Sequence, residues 1–322
     1  MTPEFDLIAK YFTRSARHAV LGVGDDCALI RVTDGCELAI STDTLVSGTH
    51  FFADADAFKL GYKALAVNLS DLAAMGAAPR YVTLALTLPA IDCAWLEAFS
   101  RGFFSLADEA GVELIGGDTT RGPLSMTLTV FGEVPAGKAL RRNGADAGDD
   151  IWVSGSLGGA ALALRYLQGA IVLKPVVLER ALERLHTPIP RNALGGALVD
   201  VAHSAIDISD GLIADLTHIC ERSGLSAVVD WPSVPLSPTL LSVGPAWRLP
   251  CALAGGDDYE LCFTAGEKSR AAIDAIAANT GIALTRIGKM RIGNPIVTVR
   301  DERGEPMNIP VTGFDHFAAW RA

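Results

Sequence analysis

Several features that would place a chain at once are missing here. None of the six cysteines, Cys27, Cys36, Cys93, Cys220, Cys251 and Cys262, forms a CxxC pair or lies beside a histidine at ligand spacing. That excludes a zinc ribbon and a redox dithiol, and reads as reduced, packing thiols of a cytoplasmic protein. No apolar run reaches the roughly 18 residues of a membrane span. The start, MTPEFDLIAKYFTR, has an early acid and no basic n-region, so no signal peptide is expected. Basic residues are the scarcer sign, 27 Lys and Arg against 37 Asp and Glu, for a formal net charge of −10. Such a surface repels nucleic acid, so an anionic ligand would need cations supplied at its site.

The usual phosphate and nucleophile motifs are absent too. There is no GxxxxGK[ST] loop, no protein-kinase glycine loop or HRD tripeptide, no GxSxG elbow and no recognisable Ser/His/Asp order. A nucleotide enzyme built from this sequence would have to manage phosphate charge without a P-loop lysine.

What is present is a core and a pattern. Half of the 322 residues are hydrophobic and 32 glycines are spread along the chain. That predicts an α/β protein of two domains. Residues 135–149, PAGKALRRNGADAGD, are rich in Gly, Ala and charge without an apolar period, so domains are expected over 1–138 and 149–322. Strands are predicted at AVLGV, ALIRV, ELAIS, YVTLALTLP, VELIGG and LSMTLTVFGEV, and in the second half at IWVSG, AIDIS, AVVDW, CALAG, YELCFT, LTRIG and IVTVR. Helices are expected at FDLIAKYF, 56–75, from Asp92 to near Gly111, at GGAALALRYL, 175–186, 211–223 and 267–279.

One pattern recurs. An apolar strand ends and a small residue and an aspartate follow at once: Gly24-Asp25-Asp26, Ser41-Thr42-Asp43, Gly116-Gly117-Asp118, Asp207-Ile208-Ser209-Asp210 and Gly255-Gly256-Asp257-Asp258. Any one of these is equally well a turn, and Gly148-Asp149-Asp150 reads as just that. Together they suit hard cations and phosphates, because strand ends line the ligand crevice of α/β folds and carboxylates hold Mg²⁺. Asp71 adds a separate signal. It lies in a helix, YKALAVNLSDLAAMGA, that is apolar nearly all round, where an uncompensated carboxylate is costly and a divalent ion removes the cost.

These segments, LGVGDDCALI, ISTDTLVSGTHF, YKALAVNLSDLAAMGA, LIGGDTTRGPLSMTL, AIDISDGLIADLTHI, GGDDYELCFT and GFDHF, resemble the thiamine-monophosphate kinase family in order and over nearly the whole chain. The resemblance implies a two-domain aminoimidazole ribonucleotide synthetase-like fold. Its N-terminal sheet would pair across a homodimer and an α/β domain would follow. It implies ATP as co-substrate, several Mg²⁺ ions, thiamine monophosphate as acceptor, and no nucleic-acid or membrane partner. Asp26, Ser41, Thr42, Asp43, Asp71, Asp118, Asp207 and Asp210 match the family's metal positions. Gly117, Asp118, Arg142 and Ser209 match its ATP contacts, and His50, Asp257 and Phe314 its substrate contacts. Asp257 departs from the Glu usual there and is one methylene shorter. Arg121 in GGDTTRG is a weaker phosphate candidate. No general base is implied, so His50 is expected to position substrate.

Two other readings stay open. One is a different ATP-dependent synthetase of the superfamily, although the chain has no early Cys beside a Lys for selenium chemistry. The other is a non-catalytic nucleotide-binding homologue, although the carboxylate set is complete. Asp43→Asn and Asp71→Asn are each expected to abolish turnover while leaving the fold intact by circular dichroism. Near wild-type rates at limiting Mg²⁺ in either variant would contradict the metal reading.

Overall fold

A computed structural model describes residues 3–309 and Gly313 of this chain. Contacts divide it into two units. The first comprises Met1–Leu72 and Ala77–Gly137, and the second Ala73–Gly76 and Lys138–Ala322.

The first unit contains α1 (Pro3–Tyr11), β1 (Cys36–Val46), α2 (Ala57–Ala74), β2 (Ala78–Leu88), α3 (Cys93–Ala110), β3 (Glu113–Arg121) and β4 (Ser125–Pro135). The sheet order is β1-β4-β2-β3, with β2 and β3 parallel and the other pairs antiparallel. Met126, Leu128 and Val130 alternate along β4 and are fully buried, so one sheet face is core. The other face carries Thr42, Thr44, Thr127 and Thr129 in register, and Ile40 on β1 is 58% exposed. Helix α2 is buried on nearly every side: Ala64, Leu65, Ala66, Asn68, Leu69 and Ser70 have no exposure. It meets α3 at glycine. A Cβ on Gly61 would lie 2.1 Å from the Phe99 carbonyl oxygen, and one on Gly102 would lie 1.8 Å from that of Phe58. Asp92 caps α3, accepting N–H bonds from Ala94 and Trp95 at 2.9 and 3.1 Å, and Gly111 ends it in the left-handed conformation.

The second unit contains β5 (Asp150–Ser154), α4 (Gly159–Leu167), α5 (Pro175–His186), α6 (Asn192–Leu198), β6 (Ser204–Asp207), α7 (Leu212–Ser223), β7 (Ser226–Asp230), α8 (Pro238–Leu241), α9 (Arg248–Leu253), β8 (Leu261–Ala265), α10 (Arg270–Thr280), β9 (Leu284–Arg291) and β10 (Val297–Arg300). Its sheet runs β10-β7-β9-β5-β8-β6. The central strands β5 and β8 are buried at every residue, as expected of strands covered on both faces. Leu212, Leu216 and Ile219 of α7 lie in the same fully buried cluster as Ile151 and Cys262.

Three expectations are corrected. AVLGV and ALIRV form no strands. Gly22, Gly24 and two aspartates interrupt them, and only isolated bridges remain, Leu21 with Leu29 and Val23 with Asp25. CALAG is not a strand either: Cys251–Leu253 finish α9, whose Pro250 already holds a helical φ. Helix α6 was not expected; the segment carries two adjacent glycines, Gly195 and Gly196. Gly195 is there for close approach, since a Cβ would lie 2.0 Å from the Ala73 carbonyl oxygen. The Gly148-Asp149-Asp150 turn is structural, as expected. Asp150 is fully buried against Arg270 Nε at 2.6 Å and Lys289 Nζ at 3.0 Å.

Candidate functional site

In the first unit the site candidates separate along β1. Side chains alternate on a strand, so Ser41 and Asp43 share the face toward α2, and Thr42 takes the other. The Ser41 hydroxyl donates to Asp71 Oδ2, and the Asp43 N–H donates to Asn68 Oδ1 at 3.1 Å. Thr42 Oγ1 lies 2.9 Å from Thr129 Oγ1 on the exposed face, so its hydroxyl is not part of this group. Asp71 is partly buried rather than enclosed, because it lies at the rim of α2 against an edge strand. Asn68, fully buried and donating to the Ala64 carbonyl at 2.9 Å, escaped the sequence reading.

His50 lies in the turn after β1. Its Nδ1 accepts the Val46 N–H at 3.0 Å, which puts the ring proton on Nε2. A ring fixed as a donor suits a phosphate oxygen and does not suit proton abstraction. Asp26 is exposed on the loop before β1, its N–H bonded to Asp25 Oδ1 at 2.9 Å. Asp118 lies on β3, at the opposite edge of the sheet from β1 and in register with Ala85. Three strand spacings, about 14 Å, separate that edge from Asp43. The expected ligands of this unit therefore do not form one cluster within the chain. Gly117 is obligatory: φ is +151°, and a Cβ would lie 1.9 Å from the Leu84 carbonyl oxygen. Arg121 ends β3, exposed.

In the second unit the acidic loop after β6 and the acidic loop between α9 and β8 are brought together. The Asp257 N–H donates to the Ser209 carbonyl and the Tyr259 N–H to the Ile208 carbonyl, both at 2.9 Å, and the Ile208 N–H returns to the Glu260 carbonyl at 2.8 Å. Glycine permits this: a Cβ on Gly256 would lie 2.1 Å from the Ser209 oxygen. Asp257 and Tyr259 both have left-handed backbones, with φ of 67° and 49°. Such strain persists only where surrounding bonds over-determine it. Asp207 is buried, whereas Ser209, Asp210 and Asp257 are partly exposed. Arg142 stands apart from Ser209. Ser223 at the end of α7 donates to the Arg142 carbonyl at 2.9 Å, and Ser209 precedes the start of that helix, about 18 Å away. Gly313 approaches the start of α7, its Cβ position 3.2 Å from the Asp210 oxygen. Phe314 lies outside the described residues.

Three carboxylates behind these loops were not anticipated. Glu260, fully buried, accepts from Arg191 Nη2 and Nε at 2.6 and 2.7 Å, Arg184 Nη2 at 2.7 Å and Ser154 Oγ at 2.6 Å. Those partners are far apart in sequence, so no local spacing announces them. Asp258 accepts the Gly158 N–H with both oxygens, at 3.0 and 2.8 Å, at the start of α4. Asp215 accepts three backbone N–H groups of residues 209–211, and its four-residue spacing from the Gly211 cap is not the three-residue spacing of a capping box, so no sequence signal announced it. Burial first, then the Asp207 and Asp210 carboxylates, push Asp215 up to about 8 against those backbone bonds.

That repulsion is the test of a metal's fit. Among the described residues no group of His, Cys, Asp or Glu side chains makes a complete metal cage. Mg²⁺ does not need one, since it keeps waters and shares substrate phosphate oxygens. Asp207 and Asp210 both bear on Asp215, and Ser41 bonds Asp71; all supply oxygen ligands of the kind Mg²⁺ takes.

Residues 24–134 match the model of the AIR synthase related protein N-terminal domain, and residues 146–299 match that of its C-terminal domain. The protein is thus of the AIR synthase related class, with both domains present. Over 321 residues it is 51% identical to the thiamine-monophosphate kinase of Escherichia coli K12, covering 98% of each chain. The chain belongs to the thiamine-monophosphate kinase family. A crystal structure of that kinase from Stenotrophomonas maltophilia K279a superposes with a TM-score of 0.84 at 48% identity, covering 94% of this chain and 96% of that one. AaThiL complexed with AMPPCP and TMP gives 0.77 at 28% identity, over 88% and 89%.

Asp258 gives this site a pH signature. Burial first, with Glu260 and Asp257 adding, pushes its carboxyl up to about 8. Folded above its unfolded value, this group destabilises progressively as pH rises from about 4 to about 8, by several kcal/mol. Asp258→Asn keeps an acceptor for Gly158, so urea midpoints of the variant are expected to fall less over that range. An unchanged slope would contradict a neutral buried Asp258.

Proposed function

We propose that this chain transfers the γ-phosphoryl group of ATP to thiamine monophosphate, giving thiamine diphosphate and ADP. The observation that carries the reading is the joined pair of acidic loops, 207–211 and 255–260, in a chain 51% identical to a thiamine-monophosphate kinase. The relative complexed with AMPPCP and TMP supports the same pair of ligands.

The acceptor is a phosphate monoester with a second pKa of about 6, so it is largely a dianion at neutral pH. Its oxygen bonds to the γ-phosphorus as the bond to the ADP oxygen breaks, and no proton need leave the nucleophile. That explains why no base is assigned and why His50 is set with its proton on Nε2: it orients a phosphate oxygen by donating a hydrogen bond. Asp257 and the turn holding His50 position thiamine monophosphate, while Gly117 and Ser209 meet ATP with backbone and hydroxyl donors. Asp118 and Arg142 belong to the same nucleotide set. Asp26, Ser41, Thr42, Asp43, Asp71, Asp118, Asp207 and Asp210 are the positions proposed to hold Mg²⁺, with Thr42 restricted to its backbone carbonyl by its outward side chain. Bound there, Mg²⁺ supplies the positive charge that lets two sets of phosphate oxygens approach.

The exposed threonine face of the first sheet is the surface proposed for homodimer pairing. No described helix is long and apolar enough to cross a membrane, and the reduced thiols fit the cytoplasm.

The test is an assay of the purified protein with ATP, Mg²⁺ and thiamine monophosphate, run beside free thiamine and aminoimidazole precursors. ADP and thiamine diphosphate are expected from the first acceptor alone. Phosphorylation of free thiamine in its place would overturn the assignment.

A further inference from the structure

Asp215 is outside every set of residues assigned above, yet the backbone of the site converges on it. One oxygen, Oδ2, accepts the N–H groups of Ser209, Asp210 and Gly211, each at 3.1 Å. An acid in the first turn of a helix ordinarily reaches back to the cap residue alone. This one reaches two residues further, to the pair that the functional reading gives to nucleotide and metal. Its own position is rigid, because α7 enters the core at Leu212, Ile213 and Leu216 on either side of it. Gly211 closes the turn with φ of 122°, where a Cβ would lie 2.9 Å from the Ala254 carbonyl carbon. The Ser209 carbonyl, fixed in this way, receives the Asp257 N–H at 2.9 Å.

We infer that Asp215 is the positioning residue that shapes the Ser209–Gly211 loop for Mg²⁺-nucleotide, and through Ser209 sets the loop carrying Asp257. The inference rests on the kinase reading given above. Without the carboxylate, three N–H groups lose one shared acceptor, and the loop is free to turn them toward water. The hydroxyl and carboxylate that meet the nucleotide then lose their common frame, although none of the contacting groups has been changed.

The test uses full-length protein, a non-hydrolysable ATP analogue and Mg²⁺, with binding read by calorimetry and amide exchange read at residues 209–211. Asp215→Ala is expected to weaken binding by about tenfold or more and to speed exchange of the three amides by a similar factor. Asp215→Asn retains an acceptor oxygen at the same reach and is expected to stay within about threefold of wild type. Asp215→Glu keeps a carboxyl group in the first turn of α7 but moves the oxygen by a methylene. It is expected to lose binding as alanine does, and it supplies the answer if the alanine variant does not fold. A residue that merely caps α7 would tolerate Glu. Wild-type affinity and wild-type exchange in the folded Ala or Glu variant would overturn the assignment. Failure of the wild-type protein to bind the analogue would instead overturn the kinase reading.

Discussion

Like charges do not gather in a low-dielectric place unless something holds them there. In the second unit Asp207, Asp210 and Asp215 follow one another from the end of β6 into the first turn of α7, and Asp215 is driven toward its neutral form by burial and by the other two. Much of the local structure answers that constraint. Backbone N–H groups point inward to Asp215, and Gly256 lets the neighbouring loop come close enough to bond the Ser209 carbonyl. Glu260, which acts on Asp258 in the adjoining loop, is bound by Arg184 and Arg191. Removing one partner of such a buried group would leave a charge without compensation, which costs far more than the pair itself contributes.

The first unit meets the same constraint differently. Asp43 and Asp71 are partly exposed; the Asp43 N–H donates to the buried Asn68 amide and the Asp71 carboxylate accepts from the Ser41 hydroxyl. The sequence carries no GxxxxGK[ST] loop to bring a lysine to the phosphates. For a reaction in which one phosphate attacks another, that is coherent. Fixed cations would hold one set of oxygens, whereas carboxylates hold a mobile divalent charge that both sets share.

The aspartates that follow short apolar runs were legible in the sequence, but their place at strand ends holds only for Asp207, which ends β6, and Asp210 just after it. Strand β1 runs on past Asp43 to Val46, and β3 runs on past Asp118 to Arg121, because the polar residues that follow each apolar run continue the sheet ladder. The buried helix around Asp71 also follows from its apolar residues on every side. Other features depend on chain segments that meet only after folding. Glu260 with Arg184 and Arg191 has no local spacing, and Asn68 reads as one more polar residue in a helix. Thr42 illustrates a limit of motif reading: adjacency to Asp43 suggested a shared site, and the two-residue period of β1 sends its hydroxyl to the opposite face. Short apolar runs misled in the other direction. CALAG has no period that tells strand from helix, and it finishes α9.

The central claim is that carboxylates of this chain hold divalent ions on the nucleotide's phosphates. Electron paramagnetic resonance with Mn²⁺ in place of Mg²⁺, in the presence of a non-hydrolysable ATP analogue, reads those ions directly. The account predicts more than one Mn²⁺ bound per chain, with the count reduced when Asp43 and Asp207 are both replaced by Asn. A single ion carried by the nucleotide, unaffected by those replacements, would contradict it.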